Sequence, residues 1–299
     1  MELNGVAIDD TFAEAFGMVG TRLVVTADSA YWARQAGASA TGFATSVIAC
    51  GCEASIESDL GADATPDGRP GVSILIFAIS AEALAEQVRN RVGQSILTCP
   101  TTACFAGIDG DKTVPMGKVL RYFGDGFQLS KQIGGRRYWR VPVMDGEFLC
   151  ADTAAVVPAV GGGNIIILAD SSAAVLAAAE RAVAAMRRLP NIALPFQGGV
   201  VRSGSKVGSK YKFLIASTNQ AFCPTLKGAV ADSALSPDTE AVLEIVIDGL
   251  SAEDIAKAMR DGIRGACAGG RQSGVQRISA GNYGGKLGQY HFHLRELMA

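Results

Sequence analysis

No uncharged apolar run in this sequence approaches the roughly 20 residues a helix needs to span a bilayer, so no membrane segment is expected. A leader peptide is not expected either. Met1-Glu2-Leu3-Asn4-Gly5, followed by Asp9 and Asp10, lacks the basic start and apolar core of one. Cysteine pairs of the CxxC type are missing. The seven cysteines (Cys50, Cys52, Cys99, Cys104, Cys150, Cys223, Cys267) are odd in number and scattered, which suits a reducing compartment and makes most of them small core residues. Histidine is scarce, with His291 and His293 alone. They flank Phe292 and would share one side of a strand as a metal-binding pair does, but no nearby carboxylate or cysteine cluster completes a site, so no metal is expected. An excess of positive charge is lacking too. Net charge is −2 with basic and acidic residues interspersed, so a small-molecule partner is expected rather than a nucleic acid.

Three familiar signatures fail as well. Residues 198–210 are Gly-rich and basic, yet no register supplies the GxxxxGK[ST] order in which backbone amides and a lysine cradle phosphates. They form either a loop that holds an anionic coenzyme tail or an ordinary solvated loop. No GxSxG elbow supports a serine hydrolase. Gly161-Gly162-Gly163-Asn164 precedes a strand instead of following one, the wrong context for a dinucleotide-binding turn. What is present is apolar bulk: 48% hydrophobic and 19% charged residues exclude disorder, and 299 residues suffice for two compact units of about 100–150 each. Abundant alanine, with arginine in excess over lysine, fits a mesophilic source. A cytoplasmic protein is expected.

The sequence contains itself twice. Val72-Ser73-Ile74-Leu75-Ile76-Phe77-Ala78-Ile79 lies on Leu243-Glu244-Ile245-Val246-Ile247-Asp248-Gly249-Leu250, and Ser80-Ala81-Glu82 lies on Ser251-Ala252-Glu253. Each reads as a buried strand, a serine cap and a helix whose first turn carries a glutamate favoured by the N-terminal dipole. Earlier, Val24-Val25-Thr26-Ala27-Asp28-Ser29 resembles Ile166-Ile167-Leu168-Ala169-Asp170-Ser171. A third pairing sets Gly117-Lys118-Val119 and Tyr122 on Gly285-Lys286-Leu287 and Tyr290. The remaining strand of each copy is expected within Ala40–Cys50 and Phe196–Arg202. The fold class that follows is α+β, with two ferredoxin-like βαββαβ lobes from an internal duplication, residues 1–152 and 153–299, each an antiparallel sheet flanked by helices. A hinge is expected near Thr153–Gly163, and a helix over Ala173–Arg188 stopped by Pro190.

Duplicated strands should present the same faces, and residue 244 breaks the pattern. Strand alternation puts Glu244 with Val242 and Val246, opposite Leu243, Ile245 and Ile247, where its counterpart is Ser73. A carboxylate among apolar neighbours loses hydration, which raises its pKa toward or above 7 unless a cation lies close. The alternatives are a structural acid at an edge or paired with an arginine, and a neutral acid able to donate a hydrogen bond.

Several segments also carry a family resemblance: Asp10-Thr11-Phe12-Ala13-Glu14-Ala15-Phe16, Ala40-Thr41-Gly42-Phe43, Thr65-Pro66-Asp67-Gly68-Arg69-Pro70-Gly71, Ser203-Gly204-Ser205-Lys206, and Ile278 to Gly288 followed by Tyr290 to Leu297. Over nearly the whole chain they resemble the formylmethanofuran:tetrahydromethanopterin formyltransferases. The resemblance implies an acyltransferase that moves a formyl group between methanofuran and tetrahydromethanopterin as coenzyme substrates, with no prosthetic group. It implies a catalytic buried glutamate at Glu244, and makes Ser203, Gly204, Ser205, Lys206, Asn282 and Lys286 candidates for coenzyme contact. It further implies a homo-oligomer, dimer or tetramer, a partnership with formylmethanofuran hydrolase subunits, and, in a methylotroph, transfer toward formylmethanofuran. The rival readings are a catalytically silent homologue serving as scaffold or coenzyme-binding subunit and, more distantly, a zinc hydrolase.

Overall fold

A serine ends each turn that leads from a central strand into a long helix. In the computed structural model, which describes residues 1–299, Ser29, Ser80, Ser171 and Ser251 accept hydrogen bonds from the backbone N–H groups of Trp32, Ala83, Ala174 and Asp254. Each satisfies a donor that the first helical turn leaves open. Glu82 and Glu253 sit in the first turns of their helices, as expected.

The chain forms a mixed α+β fold whose principal elements are β1 (Phe12–Thr26), α1 (Ala30–Thr41), β2 (Cys52–Leu60), β3 (Gly71–Ala78), α2 (Ala81–Arg91), β4 (Ala103–Ala106), β5 (Leu129–Ile133), β6 (Arg136–Val143), β7 (Gly146–Ala151), β8 (Thr153–Ala169), α3 (Ser172–Met186), β9 (Ala241–Gly249), α4 (Ala252–Cys267), β10 (Val275–Ser279) and β11 (Tyr290–His293). Two compact units result: Met18–Ala159, and Val160–Ala299 together with Met1–Gly17. No helix is long and apolar enough to cross a membrane.

Within Met18–Ala159 the strand order is β4-β1-β3-β2, every neighbour antiparallel. Leu23 and Val25 of β1 and Ile74 and Ile76 of β3 pack with Ala36 and Ala40 of α1 and with Leu84 and Val88 of α2 in one core. Beyond β4 the sheet continues through β7, β6 and β5.

Within the other unit β8 pairs antiparallel with β10 on one side and β9 on the other. Along the outer edge of β9, Ile192–Ala193 pairs with Asp248 and Gly249, and Val201 bridges Glu244. Ile245 and Ile247 of β9 join Ile165 and Ile167 of β8 in the core beneath α3 and α4. Residues 1–17 belong here because Val6–Ile8 pairs with β10 and Phe12–Ala15 pairs with β11. In that respect the division differs from a linear cut at 152/153.

Local structure departs from expectation at four places. Residues 40–50 hold no long strand: Ser46 caps a helical turn at Val47–Cys50, Gly51 reverses the chain at φ 76, and β2 follows at Cys52, with Cys52 and Ala54 in the core. Phe196–Arg202 contributes only the bridge at Val201, after a helical turn at Gln197–Gly199. Gly117–Leu120 is helical whereas residues 285–288 form a loop, so the third repeat pairing has no structural counterpart. The expected hinge at Thr153–Gly163 is strand, part of β8. Its glycines serve a bulge, where the register shifts between Val160 and Gly163 and Gly162 takes φ +92.

Candidate active site

Glu244 leaves β9 on the face opposite the core, half-buried, with Ile166 of β8 directly across on one side and Val201 on the other. Loss of hydration there raises its carboxyl pKa from the ordinary 4.5 to about 7, and burial is the only cause. The corresponding register in Met18–Ala159 explains what is missing. Ser73 donates to Glu57 at 2.6 Å, and Arg22 holds the same Glu57 carboxylate through two bonds of 2.7 and 2.6 Å. Ser73 opposes Val24 while Arg22 opposes Leu75; in the other unit Glu244 opposes Ile166 while Asn164 opposes Val246. A neutral amide therefore stands where the first unit carries a guanidinium. Glu244 is charged only at the full cost of desolvation.

Two backbone hydrogen bonds tie Val201 to Glu244, so the segment Ser203-Gly204-Ser205-Lys206 starts two residues from the acid's own strand partner. Ser205–Val207 pairs with Ala216–Thr218 as a separate ribbon, Lys206 opposite Ser217. Ser203 and Ser205 are exposed and Lys206 is half-buried. Gly204 takes φ +51 and lies against Asn219, close enough that an added Cβ would sit 3.6 Å from the asparagine's own. Asn219 lines an open polar cavity of about 450 Å³ together with Asp9, Asp10, Thr11, Phe222, Ser279, Ala280, Gly281 and Asn282. Arg277 pairs with Asp9 at 3.7 Å and Arg295 with Asp10 at 3.0 Å, which offsets the cavity's negative charge.

Ser279 connects this cavity with Glu244. It opposes Ile166 from the β10 side as Glu244 does from the β9 side, so the three side chains form one row, with the acid about 10 Å from the serine across two strand spacings. The structure thus gathers Asn282 and the surroundings of Gly204 around one cavity, two strands from Glu244. Lys286 is exposed and is not among the cavity residues. His291 and His293 stack against the Phe12 ring at 5.0 and 5.1 Å, and no group of three or more His, Cys, Asp or Glu residues is disposed to hold a metal.

Sequence reasoning passed over two buried polar residues. Asn164 donates to Gly281 O at 3.1 Å and accepts from Gly281 N at 2.6 Å. The repeat itself could have flagged it, as the position that carries Arg22 in the first copy. Glu14, 1% exposed, accepts four backbone N–H bonds: from Tyr283 and Gly285 on one oxygen at 2.7 and 2.8 Å, and from Leu287 and Gly288 on the other at 2.7 and 2.6 Å. Burial would raise its pKa, but these four donors bring it from 4.5 down to about 2. Its signal was the same as that of Glu244, an acid flanked by apolar residues on a strand.

Residues 1–143 match the family model described as formylmethanofuran-tetrahydromethanopterin formyltransferase, and residues 146–297 the model described as the proximal lobe of that protein. The chain belongs to this family. As a formyltransferase it is an acyltransferase, and formyl transfer between methanofuran and tetrahydromethanopterin is its activity. It is 64% identical to the formylmethanofuran–tetrahydromethanopterin formyltransferase of Methylococcus capsulatus, with 100% of both chains covered. Among solved structures it is similar to a chain of the formyltransferase/hydrolase complex of Methylorubrum extorquens, crystallised with methylofuran, at 52% identity and TM-score 0.97, covering 100% of this chain and 99% of that one. The formyltransferase of Methanosarcina barkeri is similar at 47% identity and TM-score 0.94, with 100% of both chains covered.

Proposed function

We propose that Glu244, as a neutral acid, stabilises the tetrahedral intermediate of formyl transfer, and that the cavity beside Ser279 and Asn282 together with the Ser203–Lys206 segment receives a coenzyme. In either direction an amine nitrogen of the accepting coenzyme attacks the formyl carbon, and the carbonyl oxygen becomes an oxyanion. The C–N bond to the donating coenzyme then breaks as the carbonyl reforms. A donor aimed at that oxygen lowers the barrier, and a protonated carboxyl is such a donor. The observation that carries the reading is the pKa of about 7 on a side chain whose nearest register positions supply Asn164 and no cation. Coenzyme closure over the site would exclude water and strengthen the bond. Ser203, Gly204, Ser205, Lys206 and Asn282 remain the candidate contacts, with Lys286 as an exposed contributor from the same loop as Asn282. The test is a purified-protein assay of formyl exchange between the two coenzymes with Glu244 variants. A silent scaffold would transfer nothing, and the presence of the acid speaks against that reading.

We also read the halves 1–152 and 153–299 as copies of one ferredoxin-like βαββαβ unit. Support comes from the matching neighbour relations, β4-β1-β3-β2 beside β10-β8-β9 and the Val201 bridge, and from the family models' division between residues 143 and 146. A homo-oligomer that associates with hydrolase subunits is supported by 53% identity to a component of the formyltransferase/hydrolase complex of Methylorubrum extorquens. Native mass measurement tests the assembly. Identity of 64% and 62% to the Methylococcus capsulatus and Methylobacillus flagellatus proteins, against 48% to that of Methanocaldococcus jannaschii, favours the methylotroph direction toward formylmethanofuran. Seven free cysteines fit a cytoplasmic setting.

A further inference from the structure

We infer that Glu14 is a positioning residue for coenzyme binding: its carboxylate is the template on which the Gly281–Gly288 loop, bearing Asn282 and Lys286, takes its shape. The loop has no strand or helix of its own. Its frame is instead two buried side chains. Asn164 exchanges a pair of hydrogen bonds with Gly281 at the loop's start, and Glu14 gathers the N–H groups of Tyr283, Gly285, Leu287 and Gly288 along the rest. Glu14 N also donates to Gly281 O at 3.3 Å.

The four bonds occupy the acceptor sites of both oxygens, so Glu14 has no capacity left to touch a substrate or move a proton. Gly284 and Gly285 take φ +77 and +71, the left-handed region that turns successive amides inward. Gly288 lies so close to Ala15 O and Glu14 Cγ that a Cβ there would clash with both. Asn282 is thereby held with its amide donating to Thr11 Oγ1 and Phe12 O at 3.2 Å each, on the wall of the cavity. A charged acceptor bonded to four amides is the strongest form such a frame can take.

The inference rests on the assignment of this cavity to a coenzyme, and the test separates the two. Glu14→Gln keeps the shape but turns an NH2 group toward amide donors. Hydrogen exchange at residues 283–288 should rise, and KM for one coenzyme should rise about tenfold or more while kcat stays within about threefold, since losing charge-assisted bonds loosens the frame and not the chemistry. The pH dependence contributed by Glu244 should stay where it is. If Glu14→Gln does not fold, Glu14→Asp, which keeps the charge one methylene short, carries the same readouts with a smaller rise. Faster loop exchange with wild-type KM for both coenzymes overturns the positioning role, as does unchanged exchange. Full activity of Glu244→Ala in parallel would sink the catalytic reading while leaving the Glu14 result standing.

Discussion

Val201 and Glu244 hold each other through a closed pair of backbone hydrogen bonds, Val201 N to Glu244 O at 2.8 Å and Glu244 N to Val201 O at 3.0 Å. Val201 pairs with no other strand residue, so this pair alone fixes where the Ser203–Lys206 segment leaves the sheet.

Val201→Pro removes the donor from that pair and should lower kcat by about tenfold, the effect of roughly 1.4 kcal/mol on the barrier. Val201→Ala keeps the N–H and should remain near wild type. Equal kcat in the two folded variants would mean that the bridge does not matter to the acid.

Replacing Glu244 distinguishes a donor from a charge. Glu244→Ala should lose on the order of 10²–10³ in kcat, the usual consequence of deleting one oxyanion donor. Glu244→Gln keeps an N–H donor and should retain more. The ordering Ala above Gln in steady-state turnover contradicts the proposal.

The pH dependence has a definite sign. Glu244 acts in its protonated form, so transfer should be full below about pH 7 and fall as pH rises through about 7. Glu244→Gln should be flat over that range. The same raised pKa favours the protonated native state, a contribution to stability present below about 4.5 and lost as pH rises through about 7. Glu14 behaves oppositely: its contribution is present above 4.5 and lost as pH falls toward about 2. Acid-unfolding curves of wild type and Glu14→Gln should therefore converge at low pH.

Two glycines of α4 face α3 and should respond differently to alanine. At Gly265 a Cβ would meet backbone, Arg181 O at 2.8 Å and Ala182 Cα at 3.1 Å, so Gly265→Ala should cost about 1–3 kcal/mol. At Gly262 the obstruction is the flexible end of Met186, and alanine's helix propensity returns about 1 kcal/mol. Thermal unfolding should rank Gly265→Ala well below Gly262→Ala.

Short-range physics made much of this legible in sequence. Serine caps, the apolar strands after them and the alternation that isolates Glu244 depend on residues a few positions apart, and all were readable without coordinates. Even the second strand had a local signal, because Cys52, Ala54 and Ile56 alternate with Glu53, Ser55 and Glu57; the apolar content of residues 40–50 outweighed it. Tertiary structure alone decided the rest. The glycines at 161–163 form a bulge because Gly162 N donates to Asp248, 86 residues away. The amides of the 283–288 loop point inward because Glu14, some 270 positions earlier in the chain, lies at their centre. Residues 1–17 join the C-terminal unit because their strands pair there. Periodicity and capping are written locally, but the direction of a loop amide is set by whichever charged group the completed fold brings beneath it.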